Sequence, residues 1–220
     1  TDTIASLNSK QVAALTATQI TAMSSTQFNL LTSAQISKIN LDAIAGITTE
    51  DIRNLTNAEV GQLSAAQLRK FSTAQTVALT SDQIALLSTT AISGLSNASL
   101  IALDTAQVGA LTSDQIANLS AGQMSAFSTA DLAQFTTTEL RAITTDQAAA
   151  LSATQLAGLA SDKFAALETA DIRALNVSSL AAIGTSQIKN LTTEQAAALT
   201  GAQIAGLTTA QLAAMDTADL

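Results

Sequence analysis

The chain contains no cysteine, histidine, proline, tryptophan or tyrosine, and only five phenylalanines. Without cysteine or histidine, the common nucleophile–base pairs and the usual zinc ligands are missing. Lack of cysteine also rules out disulfides, although it assigns no compartment. The nine glycines are scattered, so there is no glycine-rich phosphate loop. No EF-hand spacing and no nonapeptide rich in glycine and aspartate is present. Charged residues are scarce at 12%, with nine Lys and Arg against 17 Asp and Glu, a net charge of -8. Nucleic acid needs clustered cations, so this balance disfavours it, and an anionic membrane surface likewise. No apolar run approaches the roughly 20 residues of a membrane-spanning helix. The expectation is therefore no enzyme, no metal and no cofactor.

What is present is a repeat. Starting at Leu7 and stepping by eight, all 27 sites as far as Met215 are Leu, Ile, Met or Phe, with no insertion or deletion. With this as position one, position two is Ser, Thr, Asn or Asp at 24 of 27 sites, the exceptions being Ala160, Glu168 and Gly184. Position five is Gln at 16 of 28 sites, and Asp or Glu at six more. Position six is a large apolar residue at 25 of 28, with Thr76, Ala148 and Ala196 departing. The consensus is Leu-Thr-x-Ala-Gln-Ile-Ala-Ala.

A period of eight excludes the regular long elements. On a continuous α-helix the apolar stripe would drift by roughly 80° per octad, and coiled coils need seven or eleven. A β-strand would put positions one and six on opposite faces. A chain of very short helices remains, and it makes a chemical demand. Ser or Thr followed three residues later by Gln or Glu is the capping box, and apolar residues at positions one and six form the flanking hydrophobic staple. Charge sorts the same way. All 17 acids fall at positions two, four or five, and seven of nine bases fall at positions seven or eight, with Lys10 and Lys163 departing. Acids at helix N-termini and bases at C-termini match the helix dipole.

The predicted fold is an all-α solenoid, one capped helix of six or seven residues per octad, running as a single continuous array over residues 1–220. Such helices are too short to stand alone and must bury their apolar faces by stacking. Small residues at positions seven and eight let backbones approach.

A slower rhythm overlies the octad. At forty-residue steps position five reads Asp51, Ala91, Asp131, Asp171 and Gln211, and the octad after each reads Glu59, Ser99, Glu139, Ser179 and Asp219. Of the 12 intervening sites, 11 are Gln. This predicts five octads per superhelical turn. The acids Asp51, Glu59, Asp131, Glu139 and Asp171 are the candidate interaction stripe. Arg53, Arg69, Arg141 and Arg173 are expected near helix C-termini, and Phe28, Phe71, Phe127, Phe135 and Phe164, all at positions one or six, in the core.

Strings such as Leu191-Thr-Thr-Glu-Gln-Ala-Ala-Ala-Leu199 and Leu207-Thr-Thr-Ala-Gln-Leu-Ala-Ala-Met215 resemble octapeptide tracts of very large secreted or surface proteins of Gram-negative bacteria. The resemblance covers the whole chain. It implies export, an extracellular or cell-surface location, and a role as stalk, adhesin, surface-layer or biofilm component, or filament subunit. Thr1 and Leu220 both cut an octad, which fits a piece of a longer array or a unit that polymerises end to end. Partners are then the chain itself or flanking domains. The alternative is an α-solenoid module that binds a protein or glycan.

Overall fold

The computed structural model describes residues 2–215; Thr1, Asp219 and Leu220 lie outside them. Among the described residues there are 26 α-helices, each of four to six residues, one 3-10 helix and no strand. The chain divides into two compact units, Thr1–Leu111 and Thr112–Leu220.

Most octads start their helix as the capping chemistry requires. At Thr48 the backbone is extended, with φ -77 and ψ 161. Its Oγ1 accepts the Asp51 N–H at 3.1 Å, while the Asp51 carboxylate accepts the Thr48 N–H at 2.9 Å. The same reciprocal pair recurs at Ser72 and Gln75, at Thr144 and Gln147, and at Thr200 and Gln203. The helices are shorter than the sequence predicts because their last turn tightens. The position-one N–H donates to the position-six carbonyl only three residues back, as in Leu55 to Ile52 at 3.2 Å. Position one itself can then turn extended, as Leu87 does with φ -59 and ψ 137, and leads straight into the next cap.

The core of each unit is built from positions one and six. Ile52, Val60, Leu68 and Ile84 are fully buried in the first unit, and Leu156, Ile172, Leu180 and Ile188 in the second. All five phenylalanines are buried as predicted, and Phe127 meets Phe135 edge to face at 5.5 Å. The polar exception Thr76 is also fully buried; its hydroxyl pairs with the Ser99 hydroxyl at 3.1 Å, so two departures from consensus satisfy each other. The small exceptions Ala148 and Ala196 sit on the two helices, Thr145–Ala149 and Thr193–Ala198, that pack either side of Thr169–Ala174.

The stacking register corrects the expectation of five octads per turn. In the first unit Ala65–Leu68 packs on Thr89–Ile92, and in the second Thr185–Lys189 packs on Thr209–Ala214, a separation of three octads. The glutamine hydrogen bonds between layers span 28 to 31 residues, as in Gln67 to Ile39 and Ile36. A turn therefore holds between three and four octads in each unit. The forty-residue rhythm tracks the identity of the position-five side chain, not the pitch. Small residues do admit close approach: β-carbons added at Gly46 and Gly94 would run into the backbone of Ala17 and Ala65, each 29 residues back.

Candidate functional site

Position five is where the octads differ chemically. Its side chain stands at the third residue of each helix and, once a preceding turn exists, points inward. In the first unit Gln67, Gln75, Gln83 and Gln107 are buried, as are Gln147, Gln155, Gln187 and Gln203 in the second. A buried amide must use both ends. Gln83 shows how. Its Oε1 accepts the Thr80 N–H at 2.8 Å, and its Nε2 donates to the carbonyls of Ile52 at 2.9 Å and Leu55 at 3.0 Å. Those two carbonyls close the helix four octads earlier. One side chain thus caps its own helix at the N-terminus and a helix of the previous turn at the C-terminus. The same bridge runs from Gln75 to Ile44 and Ile47, both at 2.8 Å, and from Gln203 to Ile172 and Leu175 at 2.9 and 2.8 Å.

Where position five is not glutamine, other groups serve. In the octad of Ala43 the cap Asn40 donates from Nδ2 to the Ala13 and Leu15 carbonyls at 2.8 and 2.7 Å. This octad carries the 3-10 helix, Ile44–Gly46. Lys163 donates from Nζ to the Ala133 carbonyl, which explains a base among the glutamines. The Ser179 hydroxyl donates to the Leu151 carbonyl at 3.3 Å.

The candidate stripe lies in the same slots, and this overturns its reading as an exposed surface. Asp51, Glu59, Asp131 and Asp171 are buried, and Glu139 is half-buried. Each turns inward to accept the N–H of its own cap, at Thr48, Thr56, Ser128, Glu168 and Thr136 respectively. A carboxylate has no hydrogen to donate, so it keeps the near half of the glutamine bridge and loses the far half. At Asp51 one oxygen, Oδ1, is buried without a hydrogen-bond partner. At Asp171 burial pushes the carboxyl up from its ordinary 3.8 to about 6. The Glu168 N–H bond opposes that rise, and the Glu168 carboxylate adds to it.

The basic side chains lie where the dipole argument puts them. Arg53, Arg141 and Arg173 stand in last turns and Arg69 follows one, and all four are exposed. Among the described residues there is no group of three or more acids able to hold a metal ion, and no helix long and apolar enough to cross a membrane.

Sequence reasoning identified the cap half of the position-five side chain and missed the bridge half. The signal was available: a capping box is satisfied by Glu as well as Gln, so a preference of 16 Gln over six acids calls for a second role, that of donor.

Comparison with curated proteins finds no match. Five segments, residues 4–40, 57–89, 89–121, 124–161 and 164–201, match the model of the ALTTAQ repeat. Those six letters are position eight followed by positions one to five, the stretch that carries the first half of the staple, the cap and the bridging glutamine, as in Gly206-Leu207-Thr208-Thr209-Ala210-Gln211. The matched segments take in most of the residues, and the chain belongs to the ALTTAQ repeat family.

Proposed function

We propose that this chain is a non-catalytic structural repeat, an extracellular or cell-surface stalk, spacer or filament subunit. The observation that carries the reading is the glutamine bridge. Octads such as those of Gln83 and Gln203 satisfy their buried groups with the octads three and four behind them, through the same glutamine bridge. Such a unit can be added without redesign, so length is the property it tunes most directly. Its working partners are then other copies of itself or the domains it holds apart. The extracellular placement comes from the resemblance to tracts of secreted and surface proteins.

A second reading, an α-solenoid that binds a protein partner, draws on one feature. Ile101 and Val77 are 61% and 41% exposed and lie on the stacked helices Asn97–Ile101 and Thr73–Val77.

The test has two parts. Protease shaving of intact producing cells, followed by detection with an antibody to the octad array, should remove the signal; a protected intracellular signal refutes the surface role. Negative-stain electron microscopy of the purified chain should show uniform rods or filaments; compact globules refute the structural role.

A further inference from the structure

The glutamine bridge shows what its slot requires. Gln83 brings its Nε2 to three convergent carbonyls at the end of an earlier helix: Ile52 at 2.9 Å, Arg53 at 3.3 Å and Leu55 at 3.0 Å. Gln203 does the same with Ile172, Arg173 and Leu175. Such a slot presents acceptors alone, so it calls for a donor or a positive charge. Lys163 supplies both, since its ammonium group donates to the Ala133 carbonyl, 30 residues back. The slot therefore takes a cation where the chain provides one.

Asp51 meets the same slot with the opposite chemistry. The bridge reaches back 31, 30 and 28 residues, which sets Asp51 against the carbonyls of Ile20, Thr21 and Met23. Gln35 and Gln67, on either side of it in the chain, keep that register. The Asp51 Oδ2 accepts the Thr48 N–H at 2.9 Å, which fixes the carboxylate. Its Oδ1 is buried without a hydrogen-bond partner, on a side chain only 1% exposed. Aspartate is one methylene shorter than glutamine, so Oδ1 stands back by ~1.5 Å and lies about 4–4.5 Å from those carbonyls. Two oxygens keep that separation across a hard cation, whose metal–oxygen distances are about 2.3–2.6 Å.

We propose that this slot binds a small monovalent cation, held by Asp51 Oδ1 and the carbonyls of Ile20, Thr21 and Met23. One carboxylate balances one positive charge. Water fits less well: its two hydrogens cannot serve four oxygens, and it leaves a buried charge uncompensated. Calcium takes about six to eight oxygens, more than the slot presents. The ion joins two turns as the glutamine bridge does, with an exchangeable charge in place of an amide. A single acid supplies the charge and the backbone supplies the other ligands, so the site needs no acidic cluster. It stands independently of the spacer role.

Urea unfolding of the whole chain in sodium, potassium or ammonium chloride, against tetramethylammonium chloride at the same ionic strength, reads the site. Tetramethylammonium is too large for the slot. The parent should be more stable in at least one of the three small cations, and their ranking identifies the ion. Once the site fills, each tenfold rise in that cation should raise the folding constant about tenfold. Asp51→Gln restores the amide and removes the charge. It should be at least as stable as the parent in tetramethylammonium chloride and show no preference among the cations. Asp114→Asn removes an exposed acid in the first turn of Ser113–Ala117, and should keep the parent's preference.

Crystals grown with thallium(I) acetate, an electron-rich monovalent probe, give the direct view. They should show an anomalous peak beside Asp51 Oδ1, and Asp51→Gln crystals should show none there. A parent whose stability ignores the identity of the cation overturns the proposal and leaves the slot to water. A cation preference that survives in Asp51→Gln, or thallium peaks that avoid Asp51, overturns it as well.

Discussion

Replacing Gln83 by Glu tests the central device of the fold, because the two side chains have the same shape and differ in one pair of donors. Gln83 is 4% exposed, and its Nε2 bonds two carbonyls of the helix four octads back. Glu at this position still accepts the Thr80 N–H. Two hydrogen bonds are lost, each worth about 0.5–1.5 kcal/mol net. A carboxylate oxygen is also left among carbonyl oxygens with no donor, for about 1–3 kcal/mol more. The expected cost is about 3–5 kcal/mol at neutral pH, and it shrinks in acid, where a protonated carboxyl regains one donor. Gln83→Leu forfeits those two bonds and the Thr80 N–H acceptor as well but buries no charge, so its cost should not change between neutral pH and acid. Urea titrations of the three chains at pH 7.5 and pH 4.5 measure the order. Hydrogen exchange at Leu55 and Ile84 localises the damage. If Glu proves neutral at pH 7.5, the bridge does not hold the turns together.

The reverse change at Asp171 should stabilise. Its folded pKa of about 6 lies above the ordinary 3.8, so the fold prefers the protonated acid. The penalty is absent below about pH 3.8, grows between 3.8 and 6, and is complete above. About two units correspond to at most about 3 kcal/mol, less after solvent screening. Asp171→Gln should raise the melting temperature at pH 7.5 and raise it less at pH 3.5, where only the added donor bonds remain; an equal gain at both would contradict the assignment. Gly94→Ala forces a β-carbon into the Ala65 carbonyl and should cost about 1–3 kcal/mol, whereas Gly201→Ala, with open space around it, should be neutral or slightly stabilising in the same melts. Ala160 has cap geometry, with φ -62 and ψ 152, but no side-chain cap. Ala160→Ser should therefore add about 1 kcal/mol, and Thr112→Ala should lose about as much by breaking its 3.2 Å bond to the Gln115 N–H; matched melts in which both are silent would refute the capped octad.

Everything that depends on neighbours within one octad is legible in the chain's residues. The cap, the reciprocal position-five acceptor, the staple and the charge sorting act over three to five residues, so an eight-residue period displays them directly. Buried Phe28 and Phe164, and capped Thr48 and Thr200, stand where the pattern predicts. The tertiary structure decided what passes between turns. Pitch depends on the bend accumulated at successive caps, and no side chain encodes that angle locally, so the forty-residue rhythm suggested five octads where the packing gives between three and four. The orientation of position five followed from the same geometry. Asp51 and Asp171 look like surface acids in a string of Ser, Thr and Ala, and only a preceding turn, placed 28 to 31 residues away in the chain, turns their slots into buried ones. Glutamine was legible as a cap because its acceptor works within the octad; its donor works across the stack, and needed the stack to be seen.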